Sequence, residues 1–328
     1  MLLHKNLLQN KKNLLAFSAG VDSTALLFLL LENGINFDIA IVDYSVRPGS
    51  KDEVTYAQEL AKEHHFKCHV HKASQIETNF EAKAREIRYN FFQELINANN
   101  YENLLTAHHL GDRFEWMLMQ FCKGAGCAEL SGMQVVDKRH NYTLLRPLLH
   151  LDKQELLLYL SANNIKYFED SSNNDEKYQR NEFRHKHSNP LLKKYLSGIK
   201  KSFSYIDEDV KELVSEVSLL SYKELIYFKS SGSKRSDIYA IDKYFKSIGK
   251  LITAAEKALL KENDTVIISR NYVVNQNHDY LFIAPFIKAK NMDKKLKEKL
   301  RLLKIEPKLR GYLATEREVV EFLSLLLA

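Results

Sequence analysis

Three cysteines occur in 328 residues, Cys68, Cys122 and Cys127, and no two form a C-x-x-C pair. This argues against a zinc ribbon and against a disulfide framework. No apolar run reaches the roughly 18 to 20 residues that a bilayer-spanning helix needs. Met1 to Asn13 has neither the apolar stretch nor the cleavage site of a secretory leader. The expectation is a cytoplasmic protein with no membrane partner. The Walker pattern G-x-x-x-x-G-K-S/T is absent, and so is any internal repeat.

What remains is a globular composition, 45% hydrophobic and 27% charged, in a chain long enough for two domains. The net charge of +6 is modest but unevenly placed. Eight Lys/Arg stand against one Glu between Lys177 and Lys201, and ten against three acids between Lys288 and Arg310. Charge runs are ordinarily solvated faces. Two of them outside a catalytic core favour a polyanionic partner such as nucleic acid.

The stretch Ser18-Ala19-Gly20-Val21-Asp22-Ser23 organises the chain. Before it, Leu14 to Phe17 suits a short buried strand; after it, Thr24 to Leu31 suits a buried helix ending near Gly34. A small-residue turn opening a helix directs free backbone N–H groups and the positive helix end at an anion. Ser18, Ser23 and Thr24 add hydroxyl donors, and Asp22 suits a cation such as Mg²⁺.

Farther along, strands near Phe37–Asp43, Lys67–His71 and Asn103–Ala107 alternate with helices near 52–64, 80–98 and 112–122. Such alternation predicts an α/β domain with a mostly parallel, Rossmann-type sheet. Ligands bind beyond the carboxyl ends of its strands, where Ser18, Asp43 and His108 would converge. Arg85 and Arg88, at i,i+3, project from one helical face and suit either solvated ion pairs or phosphate recognition. Asp112 and Glu115 share that spacing at a helix start, where they either favour the helix end or share a metal. The polar segment Glu169–Asp175 reads as a loop. From about Asn189 to Leu260 the pattern is helical. A small β-hairpin follows around Asn275–His278, and then a basic helical tail interrupted at Pro307 and Gly311.

The Ser18–Ser23 stretch resembles the pyrophosphate-binding PP-loop, S-G-G-x-D-S, of enzymes that split ATP into AMP and pyrophosphate. In order, the chain adds Ala84-Arg85-Glu86-Ile87-Arg88-Tyr89, Ala107 to Trp116, Gly124 to Met133, Arg146-Pro147-Leu148-Leu149, and Asp170 to Arg184. Together these resemble the tRNA(Ile)-lysidine synthetase family, whose D-x-S-N and R-N-x-x-x-R segment sets it apart from other PP-loop enzymes. The likeness weakens after about residue 200. It divides the chain into a catalytic domain, 1–200, and a mainly helical tRNA-binding region, 201–328.

Six residues depart from the pattern. Ala19 replaces the loop's first glycine and is expected to exclude most positive-φ conformations. Gly111, Arg113 and Trp116 replace Asp, Gln and Thr, and Tyr44-Ser45 stand where a histidine is common. Asp22, Asp112 and Glu115 remain, so these changes read as drift around a working site.

The resemblance implies ATP, L-lysine and CAU-anticodon isoleucine tRNA as substrates. It assigns catalysis to Asp22, Ser23, Asp112 and Glu115, and Mg²⁺ to Asp22, Asp112 and Glu115. ATP falls to Ser18, Ala19, Gly20, Val21, Asp22, Ser23, Val42, Asp43, Arg85 and His108; tRNA falls to Arg88, Asn173, Arg180, Asn181 and Arg184. A PP-loop tRNA thiolase and a non-catalytic tRNA-binding protein are the alternatives. The oligomeric state stays open, a homodimer included.

Overall fold

The computed structural model describes every residue except 46–48, 77, 140, 170–178, 215–216, 278, 289–291 and 328. The chain divides into two compact units, Met1–Asp207 and Glu208–Ala328.

The chain opens with β1 (Asn13–Ala16), α1 (Val21–Glu32), β2 (Phe37–Asp43), α2 (Ser50–Glu63), β3 (Cys68–Lys72), α3 (Phe80–Asn99), β4 (Asn103–Leu105) and α4 (Leu110–Phe121). It continues through α5 (Cys127–Ser131), β5 (Val136–Lys138), β6 (Thr143–Leu145), α6 (Lys153–Ala162), α7 (Gln179–Phe183) and α8 (Asn189–Leu213). The six strands are ordered β3-β2-β1-β4-β6-β5, parallel except for β5 against β6. This is the expected α/β sheet.

Period-two alternation explains how both sheet faces are covered. Leu14 packs with Phe91, Phe92 and Ile96 of α3, whereas Leu15 packs with Leu26 and Leu30 of α1. Helix α1 is buried on most of its surface, from Val21 to Leu30, which is why its sequence lacks a polar stripe. At the amino ends of the strands, Asn13 donates to the carbonyls of Leu8 and Asn36, and Asn103 donates to Asn13 Oδ1 at 2.8 Å. These bonds satisfy amides that the sheet buries. The opposite, carboxyl ends of β1 and β4 are neighbours from which the chain departs in different directions. That switch point is where open α/β sheets bind ligands.

The second unit is built on a five-stranded antiparallel sheet, β7-β8-β11-β10-β9. Its strands are β7 (Leu220–Tyr222), β8 (Leu225–Lys229), β9 (Thr265–Ile268), β10 (Tyr272–Asn277) and β11 (Tyr280–Pro285). Helices α9 (Lys234–Ser247) and α10 (Ala254–Glu262) pack on the face carrying Val274 and Leu281. Helices α11 (Lys294–Leu302), α12 (Pro307–Thr315) and α13 (Arg317–Leu326) pack on the face carrying Val273 and Phe282. Two details correct the sequence reading. The hairpin β7–β8 lies in a stretch expected to be helical. Pro307 opens α12 rather than breaking it, and Gly311 lies buried inside that helix.

Candidate active site

The loop after β1 is held mainly through main-chain contacts, one of them from Phe168. Ala19 sits at φ 58°, the left-handed region, contrary to the expectation that its methyl would exclude that region. That conformation costs an alanine about 1–2 kcal/mol. Its surroundings hold it there: Ala19 is fully buried, and Phe168 N donates to Ala19 O at 2.9 Å. Gly20 then caps α1 without a side-chain bond to the helix N–H groups. Ser18 N and Ser18 Oγ lie 3.2 and 3.1 Å from Ser23 Oγ, which itself donates to Gly20 O. Ser18 is exposed, whereas Thr24 is fully buried and is not offered to a ligand.

Asp22 projects from the first turn of α1. Lys153 Nζ, at the start of α6, donates to its Oδ1 at 2.7 Å. His109 Nε2 lies 3.9 Å from the same oxygen and 3.7 Å from Asp112 Oδ2. His109 is the N-cap of α4, and its Nδ1 accepts from Gly111 N at 2.9 Å. In the neutral ring the proton is therefore on Nε2, facing both carboxylates. Gly111 makes this possible, because a Cβ there would stand 2.6 Å from the His109 ring. The replacement of an acid by glycine thus goes with a histidine folded over the helix start.

Asp112 and Glu115 face one way, as their spacing predicts. Arg184 Nε donates to Glu115 Oε2 at 2.8 Å and its guanidinium to Asp112 Oδ1 at 3.1 Å. Arg180 bonds the other Glu115 oxygen and stands 3.5 Å from Asp112 Oδ1. Glu115 is only 1% exposed. Burial would raise the Asp112 carboxyl, but His109 and His108, in the charged forms they take in acid, together with Arg184 and Arg180 outweigh it and hold the group well below the usual carboxylate range. His108, bonded to Thr106 Oγ1, is lowered to about 4 chiefly by burial, so it is neutral near pH 7.

Of the other expected residues, Val42 and Asp43 lie on β2, Arg85 and Arg88 on α3, and Asn181 on α7. Asp43 ends β2 and accepts from Ser45 N at 2.7 Å, with Val42 half-buried before it. Tyr44 reaches across to Ala84 O at 2.8 Å, tying β2 to α3. Arg85 lies over the Tyr89 ring, and its charge reaches His108. Arg88 is exposed, with its charge felt at Tyr44. Asn181 is half-buried in α7. Asn173 lies outside the described residues.

Arg113 is structural: its Nε donates to Ser131 O at 2.9 Å, and its guanidinium pairs with Asp207 and covers the Phe203 ring. Sequence reasoning missed Lys153 and the role of His109. A lysine 131 residues from Asp22 carries no local signal of the contact.

Among the described residues, no three His, Cys, Asp or Glu side chains are grouped to hold a metal. Both Glu115 oxygens are taken by arginines, so this acid anchors the Arg180–Arg184 segment instead of completing a metal site. Asp22 and Asp112 do fit one. Mg²⁺ commonly takes one or two carboxylates and completes its shell with water and substrate phosphate.

Residues 2–191 match the family model for the PP-loop domain. The tRNA(Ile)-lysidine synthase of Helicobacter pylori is 38% identical over 317 residues, covering 95% of this chain and 92% of the relative. That of Wolinella succinogenes is 41% identical over 306 residues, covering 93% of each. Among solved structures, the U34-tRNA thiolase NcsA of Methanococcus maripaludis superposes with a TM-score of 0.52 at 19% identity, covering 65% of this chain and 76% of that one. That likeness shows the shared fold alone. A phosphate loop at the switch point of a parallel sheet, matched by this family model, defines an ATP-using PP-loop enzyme. The chain belongs to the tRNA(Ile)-lysidine synthase family.

Proposed function

We propose that the chain joins L-lysine to C2 of the wobble cytidine in CAU-anticodon isoleucine tRNA, splitting ATP into AMP and pyrophosphate in the cytoplasm. The observation that carries this reading is the meeting of Asp22 and Asp112 about His109, beside an uncapped helix start.

Cytosine O2 is a poor leaving group until it carries AMP. In the first step O2 bonds to the α-phosphorus as the bond to pyrophosphate breaks. The N–H groups at the start of α1, with Ser18, hold the departing phosphates. Lys153 is near enough to exchange Asp22 for a phosphate oxygen. Asp22 and Asp112 would hold Mg²⁺, which supplies charge neutralisation for the phosphates. In the second step the lysine ε-amine, having lost a proton, bonds to C2 while the C2–O2 bond breaks and AMP leaves. A cytidine in an anticodon loop is reached without opening a duplex.

The second unit serves as a tRNA-docking surface in this reading. Exposed Lys294, Lys295 and Lys297 of α11 support it. Replacing all three should weaken tRNA binding and flatten its log–log salt dependence by roughly one unit per lost phosphate contact. An unchanged slope would make α11 a solvated face. The activity is tested by ATP-dependent transfer of radiolabelled lysine to isoleucine tRNA. Labelled tRNA that requires both ATP and a CAU anticodon supports the proposal; RNA binding without transfer would leave a non-catalytic tRNA-binding protein.

A further inference from the structure

Of the family departures on α4, Gly111 and Arg113 are accounted for by their contacts. Trp116 is not. It is the only tryptophan in the chain, and it is 43% exposed. One edge of its indole is backed by Gly132, where an added Cβ would stand 3.0 Å from Trp116 Cδ1. Gly132 has φ +65°, a conformation that glycine adopts freely, so the loop after α5 can approach the ring closely.

Trp116 follows Asp112 by four residues, which puts both on one face of α4, about 6 Å apart along the axis. Side chains on a helix lean toward its N-terminus, here the end that carries His109 and faces Asp22. The indole therefore stands one turn outside the acidic centre, with a supported edge and an open surface. We propose that Trp116 is a stacking platform for an unpaired base of the RNA substrate, one that flanks the target cytidine.

This inference rests on the proposed function, and the chemistry favours a nucleobase as occupant. Unpaired loop bases are splayed out and stacked on aromatic side chains, because every base offers a π-face. A target cytidine delivered to Asp22 and Asp112 brings its flanking bases alongside that centre. Stacking one of them would fix the register in which cytosine O2 meets the α-phosphorus.

The chain's single tryptophan makes the test direct. The unsubstituted protein is titrated with a CAU anticodon stem–loop RNA under tryptophan-selective excitation, while the anisotropy of dye-labelled RNA reports binding. The fluorescence should change saturably and in step with the anisotropy. Trp116→Ala should weaken stem–loop binding roughly tenfold, with Trp116→Phe losing much less. A stem–loop made abasic on both sides of the cytidine should bind the unsubstituted protein and Trp116→Ala alike. Bound RNA with unchanged fluorescence, alongside normal lysine transfer, would overturn the stacking role and spare the proposed function. A fluorescence change with ATP alone would assign the ring to adenine and overturn it too. Absence of both RNA binding and lysine transfer would overturn both readings.

Discussion

The loop after β1 is held mainly through main-chain geometry, with Phe168 N on Ala19 O and an open helix start beyond it. The segment after β4 is held by charge, with Glu115 and Asp112 clamped by Arg180 and Arg184. The two meet at one switch point, each supplying one carboxylate to the space around His109. A site made from backbone can absorb a side-chain change, as Ala19 illustrates. A site made from buried charges cannot, since each group left behind must be solvated or paired.

The largest effect is expected where the two segments act together. Asp22→Asn and Asp112→Asn should each lower turnover about a thousandfold or more, because each removes one of the two carboxylates that would hold Mg²⁺ against the reacting phosphates. The tRNA affinity should stay within a few-fold, since it comes chiefly from basic surface. Steady-state lysine transfer and filter binding check the pair. Near-normal turnover in either variant would break the assignment.

The next effect separates charge from backbone. Glu115→Ala leaves two guanidinium groups facing Asp112 alone. Breaking a buried pair costs about 3–5 kcal/mol, but both arginines are partly exposed, so a loss of about 2–3 kcal/mol is expected. Urea denaturation followed by Trp116 fluorescence reads this, because that residue belongs to the first unit. A loss below about 0.5 kcal/mol would mean the clamp is no more than a surface pair.

The smallest effect belongs to the loop after β1. Ala19→Gly relieves a strain of about 1–2 kcal/mol, but loses a buried methyl worth about 0.8 and frees the unfolded chain by about 0.4–1. The terms nearly cancel. Stability should move by less than about 1 kcal/mol and turnover should hold. A loss beyond about 2 kcal/mol in the same denaturation would show that the methyl, and not the backbone, holds the loop.

The two segments also differed in how much could be read from sequence. Strand, turn and helix around Ser18–Ser23 were legible because short apolar runs and small residues act locally. Asp112 and Glu115 were legible as neighbours on one face, again a local matter. Their arginine partners lie 65 to 72 residues away, and nothing in the spacing links them. The same limit hid Lys153. The β7–β8 hairpin escaped for another reason: it turns at Lys223-Glu224, with Lys223 at φ 52°, and lacks the Asn-Gly or Asp-Gly that marks such turns.

The central claim is that ATP activates the base and not the amino acid. Lysine joins through its amine, which needs deprotonation and an electrophilic carbon, not phosphoryl activation. The most direct measurement incubates the protein with isoleucine tRNA and α-labelled ATP in the absence of lysine. Pyrophosphate and AMP-labelled tRNA are the predicted products, with the label discharged as free AMP once lysine is added. A labelled lysyl-adenylate formed without tRNA would contradict the account.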